Sequence, residues 1–132
     1  MITINDYFGV YANHPEIDCA TQARAQDLLD KVNAMLYIYP GTTYTNPHTG
    51  TRIAGQMNGG WRPDNCVVGA KNSSHKEARG IDMYDPTDKL DTWLNDAILE
   101  RYSLYREATQ STPAWVHLTT RPPESGNRTF IP

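Results

Sequence analysis

Apolar and polar residues alternate in three short segments between residues 79 and 119, and their parity restricts the folds open to this chain. In 79–84, Ile81 and Met83 fall on one face, with Gly80, Asp82 and Tyr84 on the other. In 102–107, Tyr102 and Leu104 oppose Ser103, Tyr105 and Glu107. In 115–119, Val116 and Leu118 oppose Trp115, His117 and Thr119. Strands with one apolar face need another layer to cover it, and two helical stripes supply that layer. Ala25, Leu28, Leu29, Val32 and Leu36 form the first, which Asp18 or Thr21 can cap and Pro40 ends. Leu90, Trp93, Leu94, Ala97 and Ile98 form the second, over 88–101, with Asp88 as N-cap and Asp91 in its first turn. The expected fold is α+β: a small antiparallel sheet with helices packed on one face. If the apolar positions face the helices, Asp82, Glu107 and His117 share the open face.

The rest of the chain is less regular. Residues 40–75 are rich in Gly, Pro, Asn, Thr and Ser, so loops dominate, with 51–56 as a further candidate strand. Residues 121–132 carry several prolines and are expected to wrap the surface irregularly. No repeat or linker interrupts the 132 residues, so a single domain over 1–132 is expected.

Composition excludes several classes of function. A net charge of -3 gives no electrostatic footprint for nucleic acid. No apolar run approaches the ~18 residues of a membrane span. The first residues lack the basic start and apolar stretch of a signal peptide, which suits synthesis in a cytoplasm. Cys19 and Cys66 form no CxxC motif and are expected to be free, partly buried thiols.

Two segments carry metal-competent groups: Ser73–Asp82, which reads SSHKEARGID, and Trp115-Val116-His117. His75, Asp82 and His117 would offer two nitrogens and one oxygen to a zinc ion, leaving a fourth position for water. Zinc lowers the pKa of such a water toward ~7. Ala78 and Gly80 are small enough to let the chain turn from the His75 loop into the Asp82 strand. His14 and His48 lie in polar loops and are expected to be solvated.

The pattern S-x-H-x6-D, here SSHKEARGID, followed by W-x-H, here WVH, resembles the zinc D-Ala-D-Ala carboxypeptidase family. That family includes phage endolysin peptidases and the related hedgehog signalling domain. The stretch Gly59-Gly60-Trp61-Arg62-Pro63-Asp64-Asn65, then Val68-Gly69-Ala70, is similar to its S-G-[YW]-R segment and small-residue loop. The correspondence runs from Gly59 to Leu118, close to half the chain, and the ending resembles a phage or prophage branch. The resemblance implies a hedgehog/D-Ala-D-Ala peptidase-like fold and one zinc per chain, held by His75, Asp82 and His117. It implies a peptidase acting on peptidoglycan stem or cross-link peptides, as a D,D-carboxypeptidase or an endolysin-like endopeptidase. Such a protein would act at the bacterial cell wall or as part of a phage particle. Arg62 matches an arginine that holds a substrate carboxylate or carbonyl, and Ser73 matches a serine that orders the loop or contacts substrate. Trp115 can line a peptide cleft.

The chain departs from the family at the general base. Ala114 and Trp115 occupy the positions where relatives carry an acidic residue or a histidine. A third family arrangement ends the preceding strand in Glu, and Glu107 fits it. The alternative for Glu107 is a surface carboxylate paired with Arg106 or Arg101. Asp85 could hydrogen-bond a ligand histidine. The rival function is a non-catalytic zinc-containing binding or phage virion-structural domain on the same fold; a metal-free accessory protein is a further alternative.

Overall fold

The computed structural model describes residues 1–132. Its first helix, α1 (Ile4–Phe8), starts with a reciprocal cap. Asp6 N–H donates to Thr3 Oγ1 at 3.1 Å, and Thr3 N–H donates to Asp6 Oδ2 at 3.0 Å. Five residues are too few to show a helical stripe, so periodicity does not reveal this element. The long helix α2 (Cys19–Ile38) is capped by Asp18, whose Oδ1 accepts from both the backbone N–H and the hydroxyl of Thr21 at 2.8 Å. Its stripe is as expected, except that Met35 is fully buried and Leu36 only partly so.

The expected second helix is two helices. α3 (Lys89–Trp93) ends at Leu94, which is extended, and α4 (Asp96–Arg101) restarts from Asn95. Asn95 is the reason: its side chain accepts from Ile98 N–H at 2.9 Å, a cap that replaces helix continuation. The break turns the second segment, so Leu99 is buried and Ala97 is exposed. Asp88 does not cap α3; it sits at φ 56° with no side-chain cap bond. Asp85 takes that role, accepting from Leu90 N–H at 3.2 Å and Asp91 N–H at 2.9 Å. Burial pushes its carboxyl above the ordinary range, against the pull of these donors.

The fold is α+β, with a four-stranded mixed sheet ordered β1-β3-β2-β4. β1 (Gly80–Tyr84) and β3 (Trp115–Thr119) pair antiparallel, with Asp82 opposite His117. β2 (Tyr105–Glu107) pairs antiparallel with β3, and β4 (Thr129–Phe130) lies parallel to β2. The tail, expected to be irregular, supplies β4 through Arg106 N–H to Arg128 O at 2.8 Å and Ala108 N–H to Phe130 O at 2.7 Å. The sheet is therefore not purely antiparallel. Residues 51–56 contact β1 through a single bridge, Ile53 to Met83. Arg52 O and Ala54 N–H make that bridge, to Tyr84 N–H and Asp82 O at 2.8 Å, and the extended run then ends in a turn at Gly55, whose φ is 78°.

The strand parity is as read, although β2 is shorter than the expected 102–107, because the chain turns after α4 with Ser103 at φ 55°. Ile81, Met83, Leu104, Val116 and Leu118 are at most 1 % exposed and share one core with Ala25, Leu28, Leu29 and Val32 of α2. Each such aliphatic side chain contributes roughly 1.5–3 kcal/mol on burial. Arg106 also points to this side, where it pairs with Asp91 of α3. Cys19 is exposed rather than partly buried, Cys66 is partly buried, and both are free. No helix is long and apolar enough to cross a membrane.

α1 is locked against the loop before the candidate site. Trp61 N–H donates to Tyr7 O at 3.2 Å, and Tyr7 Oη donates to Gly80 O at 2.8 Å. A Cβ on Gly60 would overlap the Tyr7 carbonyl. Gly60→Ala is therefore expected to cost about 1–3 kcal/mol through overpacking. Thermal or denaturant unfolding measures it, and an unchanged midpoint would mean that α1 yields freely.

Candidate metal centre

His75 precedes β1 on a tight turn built by its neighbours. Its backbone N–H donates to Ser73 Oγ at 3.2 Å, and Arg79 N–H closes the turn onto Ser74 O at 2.9 Å. Ala78 adopts a left-handed φ of 58° to make that closure. Gly80 then admits the Ser74 hydroxyl and the His117 ring, because a Cβ there would press on Ser74 Oγ and lie 3.1 Å from His117 Cε1. Pairing of β1 with β3 places Asp82 and His117 side by side. His75, Asp82 and His117 thereby converge, with one potential ligand atom from each lying within 4.8 Å of the others.

The donor geometry fits a cation. Gly60 O can only accept, so the 2.7 Å contact assigns the hydrogen to His75 Nδ1 and leaves Nε2 as a lone pair. That lone pair faces Asp82 Oδ1 at 3.3 Å. Burial holds His75 neutral by lowering its pKa, although the Asp82 charge pulls the other way. Two acceptors thus face each other in a buried site, an arrangement that a shared cation relieves. His117 Nδ1 lies 2.9 Å from the same Oδ1, and its Nε2 lies 3.3 Å from Ser74 Oγ. Burial, reinforced by the Asp82 charge, keeps the Tyr7 phenol protonated far above its usual range. These residues could hold a metal ion.

The triad opens into a cleft of about 440 Å³. Glu107, at the end of β2, has Oε1 4.0 Å from His117 Nε2 and a side chain 24 % exposed. Its carboxylate is not paired with Arg106, whose Nε donates to the Glu107 backbone carbonyl at 3.1 Å and whose Nη2 pairs with Asp91 on the opposite side of the sheet. Trp115 is half-buried in the cleft wall, and Ser73 lines the cleft beside the turn that it orders. Arg62 is buried in the same wall, with Nη2 3.4 Å from Asp82 Oδ2. The chain matches no protein-family model, no curated protein and no solved structure.

The structure adds features that sequence reading does not assign. Ser74 contacts His117, and only its place beside His75 hinted at this. Arg121 lines the cleft and pairs with Glu77 at 3.0 Å. Phe130 and Pro132 form one cleft wall because β4 docks on β2. Asp85 is engaged with the start of α3 rather than with a ligand histidine. His48 is exposed, as expected, whereas His14 packs edge-on against Trp61 with ring centroids 5.3 Å apart.

Proposed function

We propose that this chain is a zinc-dependent peptidase acting on peptidoglycan stem or cross-link peptides, with a fold of the D-Ala-D-Ala peptidase type. The observation that carries the reading is the apposition of the His75 Nε2 lone pair, Asp82 Oδ1 and His117 at the base of a cleft that also holds the Glu107 carboxylate. One zinc ion per chain would be held by His75, Asp82 and His117. When bound, zinc supplies Lewis acidity toward a carbonyl oxygen and acidifies water to near-neutral pKa. Glu107 takes a proton from the attacking water and returns it to the leaving amine. Arg62, Ser73 and Trp115 are the side chains assigned to substrate from the motif. Peptide-bond hydrolysis then needs only water as co-reactant, and the proton removed by Glu107 ends on the new amine.

Glu107→Gln tests this reading, because it keeps the shape of the side chain and removes its basicity. Zinc-loaded protein is incubated with purified stem peptides ending in D-Ala-D-Ala and with cross-linked muropeptides, and products are resolved by mass. The variant is expected to keep its zinc and lose about 10²–10⁴ of its turnover, the range of a lost general base. Cleavage of the terminal residue alone marks a carboxypeptidase; cleavage of cross-links marks an endopeptidase. Equal turnover in both proteins removes Glu107 from the mechanism. No turnover by a zinc-loaded wild type overturns the peptidase reading and leaves the non-catalytic alternative.

A further inference from the structure

Arg62 is 7 % exposed, and Asp82 is the carboxylate that it meets. Three of its donors are engaged by the protein. Nε donates to Asn58 O at 2.6 Å, Nη1 to Val68 O at 3.3 Å and Nη2 to Asp82 Oδ2 at 3.4 Å. The loop that supplies Val68 O closes tightly on the guanidinium. Gly69 has a φ of 76°, and a Cβ there would press on Nη1. Asp82 is correspondingly divided: Oδ1 faces both histidines, at 3.3 and 2.9 Å, while Oδ2 faces Arg62.

We propose that Arg62 is a positioning residue of the metal centre, engaging Asp82 Oδ2 so that Asp82 presents Oδ1 alone as a ligand. This role deepens the proposed function and rests on His75, Asp82 and His117 being ligands. A free carboxylate can bind a cation through one oxygen or both. A guanidinium held by two backbone carbonyls removes one oxygen from that competition and stops the carboxylate from rotating. Lysine cannot reproduce this, because a compact ammonium cannot span Asn58 O, Val68 O and Asp82 together.

The test measures zinc affinity by competition with a chromophoric chelator, in the full chain and in Arg62→Met, Arg62→Lys and Gly69→Ala. Arg62→Met is expected to bind zinc about 10–100-fold more weakly, the cost of losing such an outer contact. Arg62→Lys and Gly69→Ala are expected to fall in between. Cobalt-loaded Arg62→Lys is expected to show an altered visible spectrum, because access to Oδ2 changes the ligand geometry. Where Arg62→Met fails to fold, the other two variants decide. Wild-type zinc affinity and cobalt spectrum in the folded variants overturn the proposal, and a raised KM alone then assigns Arg62 to substrate. A wild type that binds no zinc overturns both this role and the metal reading beneath it; variants that match a zinc-binding wild type overturn the role of Arg62 only.

Discussion

His117→Ala is expected to leave the chain without zinc. Three side chains converge on the candidate centre, and this change reduces the donor set to His75 and Asp82. Loss of an outer contact already costs about 10–100-fold in metal affinity, so loss of a ligand lies at or beyond the top of that range. The fold should survive, because His117 occupies the polar face of β3 and the core face carries Val116 and Leu118. Elemental analysis after dialysis is expected to find about one zinc per wild-type chain and none in the variant. Thermal unfolding gives an independent readout. Zinc at 100 times its Kd stabilises a folded protein by about 2.7 kcal/mol, so the wild-type midpoint should rise with added zinc and that of His117→Ala should not. Full zinc stoichiometry in the variant would remove His117 from the centre. No zinc in the wild type, even after incubation with a zinc salt, would remove the centre itself.

The second large effect lies on the other face of the sheet. Asp91→Ala is expected to destabilise the protein by about 3–5 kcal/mol, the cost of leaving a buried charge without its partner. Arg106 and Asp91 have side chains 4 % and 8 % exposed and form a direct ion pair. Arg106 Nη1 also donates to Asp91 O at 3.1 Å, and Thr109 Oγ1 donates to Asp91 Oδ1 at 3.3 Å, so the pair ties β2 and the following turn to α3. Burial lowers the Arg106 pKa, which reports the same desolvation. Replacing both partners, as Arg106→Met with Asp91→Leu, should recover most of the loss, because an apolar pair needs no charge compensation. Chemical denaturation of Arg106→Met, Asp91→Leu and the double variant closes the cycle. A single variant within about 1 kcal/mol of wild type would mean that water reaches the orphaned guanidinium. β2 carries Glu107 at its end, so any loss of activity in Asp91→Ala should track the loss of folded protein.

Local chemistry explains where sequence reading succeeded. Period-two alternation depends only on neighbours, so the faces of β1, β2 and β3 were legible, and with them the shared face of Asp82, His117 and Glu107. The cap at Asp18 and the stripe of α2 are equally local. The second helix misled because its apolar stripe continues across a residue, Asn95, whose side chain does better as a cap. Residues 51–56 misled because Gly55 takes a left-handed φ and turns the chain away after Ala54. Arg106 was legible only as a charged residue, and its burial depends on α3 bringing Asp91 across the sheet.

The sequence by itself determined which side chains each strand presents to each face, and hence that His117 and Asp82 point the same way. It also placed His75 a short turn before Asp82. Only the tertiary structure decided that β1 and β3 pair with Asp82 opposite His117, that Gly60 O sets the tautomer of His75, and that Arg62 turns to Asp82 Oδ2. It alone decided that the tail returns as β4 to wall the cleft. The reason is the range of the forces involved. Alternation and capping are set by steric and hydrogen-bonding preferences within a few residues, whereas register, tautomer and cleft shape depend on contacts between segments far apart in the chain.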